Sequence, residues 1–282
     1  MSEKKKIKII VLIVALILVC TVIAAVLVGF FSYQNSDRKI FDKQREIAES
    51  KSGMFYRTTF FQDRAEVNKA EGVPYSKEID GKYCYVYMNE DGDEVQLTPA
   101  TLTDVRGCYE VAEGTFLSPA TLGEKWGYVI VDTTNPSTET LNWNTERIYD
   151  NAEAYFEGWA AAEQDGKYGV INLNGEFIIE PEYDGIKYCS FGVMPALQNG
   201  EWYFINLSNE KIFGPFEEAE SYAYGYAAVK KDGKWGFINK SGTDATTFVY
   251  DEAYSVQSNA DTGALTAWVR IGDKWEKVEI GR

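Results

Sequence analysis

Chemistry in this sequence has to come from carboxylates, hydroxyls and aromatic faces, because none of its 282 residues is a histidine. A histidine-dependent triad and the usual histidine-containing zinc sites are therefore excluded. Cys84, Cys108 and Cys189 are the thiols beyond the apolar amino-terminal run, and their spacing is not that of a metal knuckle. In an oxidising compartment Cys84 and Cys108, which flank one hairpin region, are the pair to expect bridged; otherwise all three stay reduced. Asn89-Glu90-Asp91-Gly92-Asp93-Glu94 puts oxygen donors on alternate residues as calcium loops do. Glycine at its fourth position and the missing later bidentate Glu make it a solvated hairpin tip instead. No metal site and no cofactor are expected.

The remaining acids recur in a fixed setting: Tyr149-Asp150, Tyr183-Asp184, Phe216-Glu217 and Tyr250-Asp251, with Thr103-Asp104 and Gln62-Asp63 as weaker versions. A glycosidase needs two carboxylates at a set separation across a cleft. Acids that return once per unit fit a structural task better, the carboxylate capping turn amides and the ring packing on the neighbouring hairpin. Glu163 and Glu201 depart from the repeated pattern and are the carboxylates a surface glycan hydrolase would use. Trp159, Tyr188, Tyr222, Tyr224 and Tyr226 crowd the sequence near hairpin starts, and such faces bind sugars and ammonium groups. They are the candidates for a binding surface, although such rings more often serve as core.

These residues are positioned by a phrase that recurs along the chain, clearest in Asp232-Gly233-Lys234-Trp235-Gly236-Phe237-Ile238. Its aromatic anchors are Tyr83, Trp126, Tyr168, Trp202, Trp235 and Trp275, spaced 33 to 43 residues apart, a period that marks a repeat architecture. Each copy reads as a hairpin, with Asp165-Gly166 and Asp232-Gly233 as turn dipeptides able to take positive φ. A second turn follows at Asn172-Leu173-Asn174-Gly175 and Lys240-Ser241-Gly242, and a third strand ends in the aromatic and acid pair, including Asp150, Asp184 and Asp251. Cys84, Tyr203 and Glu276 replace the glycine that follows the aromatic elsewhere. Lysines 82, 125, 167 and 234 are expected to lay their stems over the ring and keep their heads in water.

Gly-Lys-Trp-Gly-Phe-Ile-Asn followed by Gly and then Tyr-Asp resembles the WG, or KWG, β-repeat family of bacterial proteins. The likeness spans about residues 58–282 and is strongest from Trp126 to Ala253. It implies repeat-built, all-β, interaction-mediating domains and carries over no catalytic residue. Thr58-Thr59-Phe60-Phe61-Gln62-Asp63-Arg64-Ala65 matches Thr246-Thr247-Phe248-Val249-Tyr250-Asp251-Glu252-Ala253 at five of eight positions. The last hairpin lacks a third strand, and the early segment is the one to supply it. The fold expected is an all-β WG-repeat array closed into a propeller-like toroid of about six small blades, since closure removes exposed sheet edges. The alternative is an open β-solenoid. The stretch from Pro74 to Leu122 is irregular and is expected to hold insertions.

At the amino terminus, residues 9–31 carry no charge, and as a helix they would cover roughly 34 Å, enough to cross a hydrocarbon core. The run exceeds a signal-peptide core and lacks a small-x-small cleavage site, which favours an uncleaved transmembrane helix. Lys4, Lys5, Lys6 and Lys8 precede it and predict a cytoplasmic tail of residues 1–8 with the remainder translocated. Residues 32–57 form a stalk or linker, and 58–282 the repeat domain.

The formal charge is −15, so nucleic acid is excluded as a partner. With 15% aromatic residues the chain suits strands packed through large rings. The function expected is a single-pass, membrane-anchored, extracytoplasmic, non-catalytic module that engages a protein, peptide or cell-wall partner. The alternative is the glycan hydrolase above, with its carboxylates in the central opening.

Overall fold

The computed structural model describes Phe41, residues 72–259 and residues 262–281. The expected transmembrane helix, the stalk and the strand at 58–65 lie outside the described residues. The chain divides into two compact units, Met1–Ser52 and Gly53–Arg282, and the elements below all belong to the second. Among the described residues no helix is long and apolar enough to cross a membrane.

Tight turns between alternating segments dictate antiparallel sheets, and the described residues form six of them in chain order. The first holds β1 (Tyr75–Ile79), β2 (Lys82–Met88) and β3 (Glu94–Gln96). The second holds β4 (Asp104–Val105), β5 (Tyr109–Ala112), β6 (Thr115–Thr121), β7 (Trp126–Asp132) and β8 (Asn142–Trp143). Next come β9 (Asn151–Ala152), β10 (Ala160–Gln164), β11 (Lys167–Ile171) and β12 (Phe177–Tyr183). The fourth is β13 (Gly185–Ile186), β14 (Val193–Gln198), β15 (Glu201–Asn206) and β16 (Lys211–Phe216). The fifth is β17 (Glu218–Ala219), β18 (Tyr226–Lys231) and β19 (Lys234–Asn239), and the sixth β20 (Glu252–Ala253), β21 (Gln257–Ser258), β22 (Leu265–Ile271) and β23 (Lys274–Glu279).

Every anchor lies at the start of a hairpin's second strand. In five units it pairs across to the next strand: Tyr83 with Leu102, Trp126 with Tyr149 and Trp235 with Tyr250 as single bridges, Tyr168 with Tyr183 and Trp202 with Phe216 within ladders. The two-residue turns Asp165-Gly166 and Asp232-Gly233 have positive φ at both positions, the twist-matched geometry that closes a tight hairpin.

The glycine after the aromatic is a packing requirement. A Cβ on Gly236 would meet the Phe248 ring at 2.9 Å, so the third strand can cross only where no side chain stands. In the fourth sheet Tyr203 occupies that place and the missing space reappears opposite, at Gly214, where a Cβ would meet the Trp202 carbonyl at 2.8 Å. The unit has moved its glycine to the facing strand.

Between sheets, the hairpin's second strand packs on the short first strand of the following sheet, β7 on β9, β11 on β13, β15 on β17 and β19 on β20. Ring pairs fill two of these boundaries: Tyr128 with Tyr155 at 4.6 Å and Phe204 with Tyr222 at 5.0 Å. Fully burying such a ring is worth roughly 1.5–3 kcal/mol.

The stretch from Pro74 to Leu122 builds the first sheet and half of the second, with β5 as its addition. Of the two cysteine readings the reduced one is found: Cys84, Cys108 and Cys189 are all free thiols; Cys84 packs with Tyr75 and Val86, while Cys108 sits against a different apolar cluster.

Candidate functional site

The repeated acids latch one sheet to the next. Asp150 pairs with Lys125 and accepts from the Asp165 N–H at 2.8 Å. Asp184 pairs with Lys167 and accepts from the Asn199 N–H at 2.9 Å. Asp251 takes Lys234 Nζ at 2.6 Å and the Gly272 N–H at 2.6 Å. Each carboxylate thus joins the lysine of its own hairpin to the turn amide of the following hairpin, as capping physics expects of an acid beside unpaired amides. The lysine bonds, helped by those amides, hold all three carboxyls below the ordinary range. Glu217 does the amide half of this task, accepting from the Gly233 N–H at 2.9 Å. Lysines 125, 167 and 234 therefore have paired heads, a correction to the expectation that they merely cover the ring.

In two sheets the ring is covered by another residue, the one just after the sheet's first strand. Arg106 lies 4.6 Å from the Trp126 ring centroid and Lys187 4.7 Å from that of Trp202. The equivalent positions in the next units are Glu153 and Glu220, so cations and acids alternate along the row. Lys187 Nζ is 3.0 Å from Glu220 Oε2, both side chains buried, and Arg106 Nε is 3.9 Å from Glu153 Oε2. Burial pushes the Glu153 carboxyl up to about 7 against the pull of Arg106.

At one end of the hairpins, three successive turns share a backbone and an unusual content. Phe156 bridges Trp159, Ser190 bridges Val193 and Ala223 bridges Tyr226. Between them Glu157, Phe191 and Tyr224 have φ of 51°, 57° and 52°, each followed by a glycine with positive φ. That left-handed position suits Asn, Asp or Gly and penalises bulky side chains. At the opposite hairpin ends it is occupied by Asp80, Asp165, Asn199 and Asp232. Here instead Phe191 is 50% and Tyr224 59% exposed, with Phe156 at 41%. Strained backbone that displays aromatic rings to solvent is a feature that binding surfaces retain.

Below these turns, at the boundary of the third and fourth sheets, a narrow open pocket is lined by Trp159, Tyr188, Lys187, Cys189, Val170 and Met194, among others. Its origin is legible in the repeat. Val170 and Cys189 stand where the flanking boundaries carry the ring pairs Tyr128–Tyr155 and Phe204–Tyr222. Burial pushes the Cys189 thiol up to about 12, so it is an inert wall rather than a nucleophile.

The five aromatic candidates divide. Trp159 and Tyr188 line the pocket, and Tyr188 lies 6.2 Å from the Phe156 ring. Tyr224 is at a turn tip, and Tyr226 is half-buried on the fifth sheet's turn. Tyr222 is 5% exposed, its ring on Phe204 and its hydroxyl donating to the Asn239 carbonyl at 3.0 Å; it is core, not platform. Phe156, Phe191 and Lys187 are not among the sequence candidates; for Phe191 the available signal is an aromatic or acid before glycine at spacings of 34 and 33 residues, in Glu157-Gly158, Phe191-Gly192 and Tyr224-Gly225. Glu163 and Glu201 belong to different sheets, and Glu201 accepts from Tyr203 on its own strand at 2.6 Å. The tip at Asn89–Glu94 is held by Asn89, whose side chain accepts from the Asp93 N–H at 2.8 Å. Among the described residues no group of three or more acids or cysteines could hold a metal ion.

Six small antiparallel sheets, each built on one hairpin and the second to fifth each latched to the next, define a tandem β-repeat protein. Residues 140–275 of it are WG repeats: the family described as WG containing repeat matches at residues 140–168, 168–202, 204–235 and 235–275. Tyr83 and Trp126 precede that span yet hold the same place in their hairpins. No relative is found among curated proteins. Solved structures similar to the chain include the WD40 β-propeller domain of Doa1, 11% identical, with a TM-score of 0.41 over 73% of this chain and 78% of that one. An uncharacterized protein of Listeria monocytogenes EGD-e, lmo1340, is 12% identical, with a TM-score of 0.45 over 73% and 75%. Virginiamycin B lyase from Staphylococcus aureus is 15% identical, with a TM-score of 0.39 over 74% and 85%. Likenesses this weak say nothing of ligand or activity.

Proposed function

We propose that this chain is a single-pass membrane protein whose tail of residues 1–8 is cytoplasmic and whose repeat domain stands outside as a non-catalytic interaction module. Its partner is a protein, a peptide or a wall component. The uncharged run at 9–31 behind four lysines supports the anchor and its orientation. The six units close into a propeller-like ring, with the strand at 58–65 completing the hairpin of Trp275; its match to residues 246–253 supports this.

One observation carries the binding role: Phe191 and Tyr224 hold strained, solvent-exposed turn positions that the same fold fills elsewhere with Asp and Asn. A purely structural turn has no use for a bulky ring there. The test is the full chain with Phe191→Asn and Tyr224→Asn, compared with wild type for saturable retention of envelope material on intact cells. Loss of retention with an unfolding midpoint equal or higher supports the reading. Unchanged retention contradicts it.

A further inference from the structure

We propose that the open strip formed by the three successive turns at Phe156–Trp159, Ser190–Val193 and Ala223–Tyr226 is the docking surface for a basic peptide segment of a partner, whose cationic heads rest on its exposed rings beside its carboxylates. This deepens, and rests on, the reading that the turn face is a binding face. Contacts join the three turns into one surface. The Phe156 ring lies 6.2 Å from that of Tyr188, just before the second turn, and the Gly192 N–H donates to the Glu157 carboxylate of the first turn at 3.4 Å. Lys240 connects the second turn to the third. Its Nζ is 3.3 Å from the centroid of the Phe191 ring, and its stem passes Gly225 so closely that an added Cβ would meet Cε at 3.2 Å. Phe156, Phe191 and Tyr224 are exposed along this strip.

Exposed rings suit a sugar as well as an ammonium group, and the charge beside them separates the two. The turns that begin at Asn172 and Asn206 lie at the same ends of the third and fourth sheets, since Ala160 stands opposite Ile171 and Val193 opposite Asn206. Each brings a carboxylate: Glu176 accepts from the Asn172 amide at 2.9 Å, and Glu210 from that of Asn206 at 2.7 Å. Glu157, Glu176 and Glu210 are exposed, and none of them pairs with a lysine or arginine of the described residues. At the opposite hairpin ends Asp150, Asp184 and Asp251 each hold a lysine. The turn face is thus the side whose acids lack internal counter-charges. Such a surface attracts a formal cation, gives a neutral sugar no such gain, and repels an anionic chain. Lys240 shows the contact within the chain itself, its ammonium laid on Phe191; a partner's cation would take the Tyr224 ring or displace Lys240.

The experiment is calorimetric titration of the full chain in detergent micelles with acetyl-hexalysine amide at about 0.15 M salt, where diffuse attraction is screened. Acetyl-hexaglutamate amide and an N-acetylglucosamine tetramer are the comparisons. Saturable hexalysine binding is expected, weakened about fivefold or more by Phe191→Asn with Tyr224→Asn and weakened also by Glu157→Gln. Lys240→Met, which vacates the Phe191 ring, is expected to tighten it about two- to fivefold. Hexalysine affinity that is unchanged by the paired ring substitutions overturns the assignment to this strip. Weaker hexalysine binding in Lys240→Met, or a preference for hexaglutamate or the tetramer, overturns the ligand class while leaving the turn-face reading standing. Absence of hexalysine binding while the Phe191 and Tyr224 substitutions still abolish envelope retention overturns the inference alone; absence of both overturns it together with the function on which it rests.

Discussion

At the residue scale, the acids do opposite work depending on burial. Asp150, Asp184 and Asp251 have folded pKa values below the unfolded one, so their contribution is complete above about pH 4 and is lost as pH falls through the folded value. Replacing all three with Asn should flatten the acid limb of the stability curve, read from denaturant midpoints between pH 5 and 2. Glu153 has the reverse sign: its folded value is about 7 against 4.5. It favours the fold fully below about 4.5, and that favour is lost as pH rises to about 7. Glu153→Gln should remove this dependence and gain up to about 3 kcal/mol at pH 8 relative to wild type; a midpoint that falls at pH 8 would show that the pair with Arg106 outweighs desolvation. Tyr224→Asn should raise stability by roughly 1 kcal/mol through relief of backbone strain, checked by thermal unfolding.

At the scale of the element, the unit is a hairpin with a glycine-sized gap through which the following strand passes. Gly236→Ala should cost about 1–3 kcal/mol, because its methyl meets the Phe248 ring; Phe248→Leu in the same chain should recover part of that loss. The hairpins, their turns and the aromatic and acid pairs were readable from sequence, since each depends on local spacing and on turn residues with defined φ. The two-residue first strands β9, β13, β17 and β20 were not readable, being too short to show alternation. The lysine-to-acid latch was half visible. The acid's turn-capping role followed from its recurrence, but its partner lysine lies 17 to 25 residues earlier, a distance that only the fold brings together. Tyr222 shares a stretch with Tyr224 and Tyr226, and local sequence does not separate the three; the ring pair with Phe204 puts Tyr222 in the core.

At the scale of the whole molecule, identical units are expected to present one surface many times, yet two departures break the equivalence. One boundary has no ring at either position of the pair, Val170 and Cys189, and opened a pocket, and two turns carry exposed rings, Phe191 and Tyr224, where that of the third sheet carries Glu157. Both fall at the same ends of neighbouring hairpins, away from the tips at Asp165 and Asp232. The strand between Tyr226 and Lys231 separates the two ends by roughly 17–20 Å, far enough for a partner to touch one and not the other. The direct measurement is photocrosslinking in intact cells with p-benzoylphenylalanine placed singly at 191, 224, 165 and 232. The account predicts a discrete crosslinked partner from 191 and 224 and none from 165 and 232; equal yields from all four sites, or a partner captured only at 165 and 232, would contradict it.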